Sequence, residues 1–256
     1  MRLDEAVAER AGVTRSQARS LIMEGRVRVG GEPATKAGQR VREGAQITVD
    51  APRRFVSRGG EKLAAALDAF SIDVTGARAL DVGASTGGFT DVLLQRGAAF
   101  VAAVDVGYGQ LDWKLRNDSR VRVIERTNFR YLADDAFEHP FDIVTIDVSF
   151  ISLRTILLRA AAFLVPGGRI VALVKPQFEA GRARIGGGGV VRDPAVHRAI
   201  LREVRDSAAA LGLPVAALIA SPLLGPAGNR EFLIELRSGA QPIEDERIDR
   251  VVGEGA

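Results

Sequence analysis

The chain has 256 residues, 46% hydrophobic and 26% charged, with a net charge of +3 and no cysteine. These figures exclude disulfides, thiolate metal sites and a cysteine nucleophile, and no apolar run approaches the roughly 18–20 residues that span a bilayer. Acid appears by position four with no apolar stretch behind it, so no secretory signal is expected and a reducing cytoplasm is the expected setting.

The length allows one large domain or a medium one with a small appendage, and the charge distribution favours the second. Residues 1–60 hold 12 Lys and Arg against 7 Asp and Glu, whereas the remaining 196 hold 23 against 25. The N-terminal segment is thus the expected contact for a polyanion. Only four of the 35 basic residues are lysines, at 36, 62, 114 and 175. In so Arg-biased a chain, a lysine marks a place where guanidinium, which cannot release its proton, will not serve.

In chain order, Leu3 to Arg10 forms a short amphipathic helix closed by Gly12, and Thr14 with Gln17 has capping-box spacing for a second helix running to Gly25. Arg15, Arg19, Arg26 and Arg28 decorate this helix and its exit. Val27–Val29, a Gly30-Gly31 turn and Gln46–Val49 give short strands. The run Thr14-Arg-Ser-Gln-Ala-Arg-Ser-Leu-Ile-Met-Glu-Gly-Arg-Val-Arg-Val-Gly30 resembles the S-four-like RNA-binding module, which implies that residues 1–50 grip RNA by phosphate and shape through those four arginines. Residues 51–58 are expected to be a linker, since Pro52 denies a helix, and a helix with Leu63, Ala66, Leu67 and Phe70 on one face follows.

Residues 59–240 alternate strands and helices. Ala77–Val82, Phe100–Asp105, Val121–Glu125, Phe141–Asp147, Arg169–Val174, Val215–Ile219 and Arg230–Leu236 are the strand candidates. Helices are expected over 151–164 and 195–211, a pattern of parallel βα units. Residues 179–189 form a glycine-rich loop, expected to be a mobile flap, and 241–256 read as a tail. The turn Asp81-Val-Gly-Ala-Ser-Thr-Gly-Gly-Phe-Thr90 joins the first of these strands to a helix, where glycines admit a ligand and a helix N-terminus offers unpaired N–H groups. Asp105, at the end of the next strand, stands where a carboxylate accepts from ribose hydroxyls, so an adenosine-containing cofactor is expected.

Catalytic residues in such sheets project from the carboxyl ends of the strands. Asp147 and Lys175 end the fourth and fifth strands, Lys62 can reach over from the preceding helix, and Glu231, near the start of the last strand, would come to the same edge if that strand runs reversed. Two amines and two carboxylates beside such a cofactor suit a weakly acidic alcohol as acceptor, whose proton a lysine can accept while the carboxylates orient the amine.

The runs Val56-Ser-Arg-Gly-Gly-Glu-Lys-Leu63, Asp81 to Thr90, Asp105-Val-Gly-Tyr-Gly-Gln-Leu111, Asp147-Val-Ser-Phe-Ile-Ser-Leu153, Val174-Lys-Pro-Gln-Phe-Glu179 and Gly225-Pro-Ala-Gly-Asn-Arg-Glu231 resemble the TlyA, or hemolysin A, family. The resemblance covers nearly the whole chain. It implies an α/β fold, a Rossmann-like seven-stranded class I methyltransferase sheet with its last strand reversed, joined to the small N-terminal α+β RNA-binding domain. It implies S-adenosylmethionine as cofactor, ribosomal RNA or a ribosomal subunit as partner, and 2′-O-methylation of cytidine, with the large-subunit RNA favoured and the small-subunit RNA as the alternative. Lys62, Asp147, Lys175 and Glu231 align with the family's catalytic tetrad. Asp81, Gly83, Ser85, Gly87 and Asp105 align with its cofactor pocket, with Asn128 near the adenine. No metal and no membrane are implied. A nicotinamide dehydrogenase would want tighter glycine spacing, and His139 and His197 read as structural. The nearer alternatives are a base-nitrogen methyltransferase, although Asp147-Val-Ser-Phe150 lacks that class's adjacent prolines, and a non-enzymatic membrane-active hemolysin.

Overall fold

The computed structural model describes every residue except 24, 43, 51–53, 182–183, 185–186, 226 and 255–256. The chain divides into two compact units, Met1–Arg54 and Phe55–Ala256.

In the first unit, α1 (Leu3–Ala11) and α2 (Arg15–Met23) pack beside an antiparallel sheet of β1 (Val27–Val29), β2 (Glu32–Pro33) and β3 (Ile47–Val49), in the order β2-β1-β3. Leu3, Val7, Ala18, Ile22 and Val27 form its core. The expected capping box closes α2: the Thr14 N–H donates to Gln17 Oε1 at 2.9 Å, and the Gln17 N–H donates back to Thr14 Oγ1 at 3.3 Å.

The second unit carries α3 (Gly59–Ala69), β4 (Arg78–Val82), α4 (Gly88–Gln95), β5 (Phe100–Val104), α5 (Trp113–Arg116), β6 (Val121–Ile124), β7 (Phe141–Ile146), α6 (Leu153–Ala161), β8 (Leu164–Val174), α7 (Pro176–Glu179), α8 (Pro194–Ala210), β9 (Val215–Ala220), β10 (Phe232–Arg237) and α9 (Asp245–Gly253). Among the described residues its sheet has seven strands in the order β6-β5-β4-β7-β8-β10-β9, with β10 antiparallel to both neighbours and the other pairings parallel. The strands are apolar on both faces because both faces are covered. Leu80 and Val82 of β4 join the core under α6, α8 and α9, whereas Ala79 joins the core under α3 and α4. The segment that reads as a tail holds α9 instead, which buries Ile248, Val251 and Val252. Arg202 and Arg205 of α8 pair with Asp245, and Arg198 and Arg202 with Asp249, pinning that helix.

The chain's direction of winding reverses at β4, which lies between β5 and β7, and α/β sheets open a crevice at such a switch point. Register decides what faces it. Val82 pairs with Val104 on one side and Ile146 on the other, so Gly83, Asp105 and Asp147 leave the sheet in a row. Phe232 pairs with Val174, so Glu231 and Lys175 stand side by side at the same edge.

Candidate active site

The crevice has two lobes. The first, about 600 Å³, is lined by Lys62, Asp147, Lys175 and Glu231. The second, about 520 Å³, is lined by Asp105, Val106, Asn128, Phe129 and Ile151. Gly83, Ser85, Asp147, Ser149 and Phe150 border both, so the lobes share one wall.

The four ionisable groups of the first lobe stand as two ion pairs. Lys62 Nζ donates to Glu231 Oε2, across 169 positions of sequence, and both side chains are buried. Lys175 Nζ lies 2.6 Å from Asp147 Oδ1 and donates to Ser149 Oγ at 2.9 Å. Pairing offsets the desolvation each charge suffers there, so the fold can hold all four in one lobe.

In the second lobe, the Asp105 carboxylate accepts from the Ser85 N–H at 2.8 Å and the Gly107 N–H at 2.6 Å, which fixes its plane while leaving lone pairs for a ligand's hydroxyls. Val106 beside it is 70% exposed although apolar, and with Phe129 and Ile151 it gives that lobe an apolar lining. Asn128 Oδ1 accepts from the Arg130 N–H at 3.1 Å, leaving its amide nitrogen to meet a ring nitrogen. A ribose anchor beside an apolar lining fits an adenosine. Gly83 has φ +85°, and a Cβ there would run into the carbonyl oxygen of Asp147. Gly83→Ala should therefore cost about 1–3 kcal/mol of stability and weaken cofactor binding, checked by denaturant melts and calorimetric titration.

Two expected cofactor residues do not line either lobe. Asp81 points from β4 toward α4 and is fully buried, accepting from Thr90 Oγ1 at 2.7 Å and Thr145 Oγ1 at 3.0 Å. Gly87 begins α4 with φ +95°, and a Cβ there would strike Leu115, so it serves close packing. Burial pushes the Asp81 carboxyl up to about 6, the two hydroxyls opposing. Its folded value thus lies above the unfolded one of 3.8, so the folded chain binds the extra proton between the two values. The stability Asp81 contributes is complete below about pH 4 and is lost as pH rises through 6. Asp81→Asn lacks that loss. In paired denaturant melts, the variant should gain about 2 kcal/mol on the parent between pH 4 and pH 7.

The comparisons with known proteins fit this geometry. Residues 55–238 match the family model described as FtsJ-like methyltransferase, and residues 1–47 match that of the S4 domain. The chain belongs to the FtsJ-like methyltransferases. A Mycobacterium tuberculosis relative named 16S/23S rRNA (cytidine-2'-O)-methyltransferase TlyA is 48% identical, covering 98% of this chain and 97% of its own, which places the chain in the TlyA family. Hemolysin A of Brachyspira hyodysenteriae is 40% identical over 91% of this chain and 98% of its own. A solved structure named "Putative hemolysin from Streptococcus thermophilus" is 45% identical, covers 99% of this chain and 94% of that one, and has a TM-score of 0.78.

In the S4 domain, the fully buried Asp4 collects Arg2, Arg15 and Arg19 at 3.0–3.1 Å, and hydrogen bonds from these arginines, Arg2 foremost, hold its carboxyl well below the usual range. Arg2 was not among the expected RNA contacts. The Arg26 guanidinium donates to the Asp50 carbonyl, and Arg28 pairs with the Asp50 carboxylate at 3.4 Å. In the FtsJ-like unit, sequence reasoning also missed Ser149, which bonds Lys175 from within the quoted Asp147-Val-Ser-Phe run, and the aromatic pair Phe150 and Phe178, with ring centroids 5.1 Å apart. His197 is buried 3.1 Å from the Val191 carbonyl, and burial holds its imidazole below its usual value. His139 is exposed in a loop beside Glu138. Part of the expected flap lies outside the described residues, and within it Arg184 pairs with Glu203 of α8 at 2.7 Å. Among the described residues, no helix is long and apolar enough to cross a membrane, and no three His, Asp or Glu gather as a metal site.

Proposed function

We propose that this methyltransferase moves a methyl group from S-adenosylmethionine to the 2′-hydroxyl of a cytidine in ribosomal RNA, with the large-subunit RNA favoured. The observation that carries this is the sharing of Asp147 and Ser149 by a lobe lined by Asp105, Asn128 and apolar side chains and a lobe holding two lysine–carboxylate pairs. The 48% identical Mycobacterium tuberculosis relative, whose name gives both 16S and 23S rRNA, supports a cytidine 2′-hydroxyl of ribosomal RNA as the acceptor without choosing between the subunits. A substrate in the ribosome puts the enzyme in the cytoplasm.

When bound, S-adenosylmethionine supplies an electrophilic methyl carbon on a positively charged sulfur. Asp105 and Asn128 hold the nucleoside, and Gly83 and Ser85 let the backbone close on it. The acceptor is a ribose hydroxyl, which must give up its proton as its oxygen attacks. Lys175 Nζ, having first released one of its own protons to solvent, receives that proton as a neutral amine and is restored to the ammonium form that pairs with Asp147. It is the better placed of the two amines, because its partner Asp147 borders both lobes whereas Glu231 borders only the first. Asp147 and Ser149 orient the amine, and Lys62 with Glu231 holds the ribose from the other side of the lobe. The S4 domain grips phosphates through Arg15, Arg19, Arg26 and Arg28, joined by Arg2, and so delivers the RNA without itself reading the base.

Large and small ribosomal subunits, each incubated with the enzyme and methyl-tritiated S-adenosylmethionine, test the reading. Label should enter the RNA of the large subunit. Label confined to ribosomal protein, or absent from both RNAs, would overturn it.

A further inference from the structure

We propose that Glu179, a residue outside the catalytic lobe, is the positioning residue that keeps the Lys175 amine seated on Asp147 and Ser149. The inference rests on the reading of Lys175 as the base.

Glu179 ends α7, the single turn that Lys175 begins, and it is 4% exposed. Its carboxylate spans to the other loop of the lobe. Oε2 accepts from Ser152 Oγ at 2.6 Å, Oε1 accepts from the Leu153 N–H at 2.6 Å, and Arg154 Nε lies 3.5 Å from Oε2. Ser152 is the N-cap residue of α6 yet makes no side-chain cap bond of its own. Glu179 thus caps α6 from 26 positions away, with a negative charge at the positive end of that helix.

Two loops are joined by these bonds: residues 147–152, which carry Asp147, Ser149 and Phe150, and residues 175–179, which carry Lys175 and Phe178. Their polar meeting points are the Lys175 amine and the Glu179 carboxylate. The amine cannot serve as the fastening. A base that takes up a proton changes its bonds to Asp147 and Ser149 in every turnover, and loops tied only there would shift with it. Glu179 takes no part in the chemistry and can stay fixed.

Backbone strain points to the same demand. Phe150 has φ +64° and is 91% exposed, so neither its conformation nor its burial favours the loop's shape. A bulky residue in that region persists only where its surroundings hold it. Glu179 supplies that hold two residues further on, at Ser152 and Leu153.

Glu179→Ala in the full chain should lower kcat about 30- to 100-fold, with KM for S-adenosylmethionine and for RNA within about twofold of the parent. Glu179→Gln keeps an acceptor for the Leu153 N–H and offers a donor to the Ser152 hydroxyl, so it should return to within about fivefold of the parent. Biosynthetic labelling with isotopic lysine supplies a readout besides rate, because the chain has only four lysines. The Lys175 side-chain resonance should move in Glu179→Ala and return in Glu179→Gln, while that of Lys62 stays. Parent-like kcat in Glu179→Ala, or an unmoved Lys175 signal whatever the rate, overturns the inference. Should Glu179→Ala fail to fold, Ser152→Ala removes one of the two bonds and should cost about fivefold in kcat with the same resonance displaced. A parent enzyme that methylates no 2′-hydroxyl would sink the proposed function, while the lysine spectra would still judge the brace.

Discussion

Lys175→Arg is expected to lower methyl transfer by about 10²- to 10⁴-fold, the range contributed by a positioned general base, while cofactor affinity and melting temperature stay near the parent's. The reason is chemical. Arginine keeps the positive charge opposite Asp147 and keeps donors for Ser149, so the pair that the structure shows at 2.6 Å is preserved. It cannot give up its proton at any pH the fold survives, so it cannot take one from a ribose hydroxyl. A loss of activity with binding intact separates basicity from charge, which substitution by methionine would not do. Single-turnover rates with saturating RNA give the comparison, and a variant working at the parent rate removes Lys175 from the role of base.

Removing residues 1–54 should produce the second large effect, in RNA binding. The core of Leu3, Val7, Ala18, Ile22 and Val27 shares no residue with the two cores of the FtsJ-like unit, so the remaining chain should fold and bind S-adenosylmethionine as before. Without the five arginines assigned to phosphates, the dependence of log affinity on log salt should flatten by about 3 to 4. Filter binding of an rRNA fragment across a salt series measures the slope. An unchanged slope would place the RNA grip elsewhere.

Much of this was legible in the sequence, for reasons that differ by element. The seven strands of the large sheet are visible because strands buried on both faces are short, continuous apolar runs between turn residues. The start of β8 is not: Pro166-Gly167-Gly168 has the composition of a turn, yet it lies inside a strand whose register against β7 shifts between Phe141 and Ile143. The single turn of α7 is too short to show a helical period. The Ile248, Val251 and Val252 stripe of α9 has one, but it sits in so polar a segment that nothing pointed to burial.

The site followed the same division. Asp147, Lys175 and Glu231 could be grouped because strand order and direction bring their backbones to one edge, and Lys62 because the helix that carries it precedes the sheet and can reach over that edge. Asp81 was expected beside the cofactor on its motif. Side-chain alternation along β4, with Ala79 in the core under α3 and α4, instead sends it toward Thr90 of α4. Glu179 and Ser149 act through bonds between loops, and loop conformation leaves no periodic trace in a sequence.

The most direct test is the chemical position of the transferred methyl group. Large-subunit RNA labelled by the enzyme with methyl-tritiated S-adenosylmethionine can be hydrolysed in alkali, which cleaves after every ribose that retains a free 2′-hydroxyl. The label should survive in an alkali-resistant dinucleotide whose 5′ residue is cytidine methylated on its sugar. Label released as a mononucleotide methylated on the base would contradict this assignment.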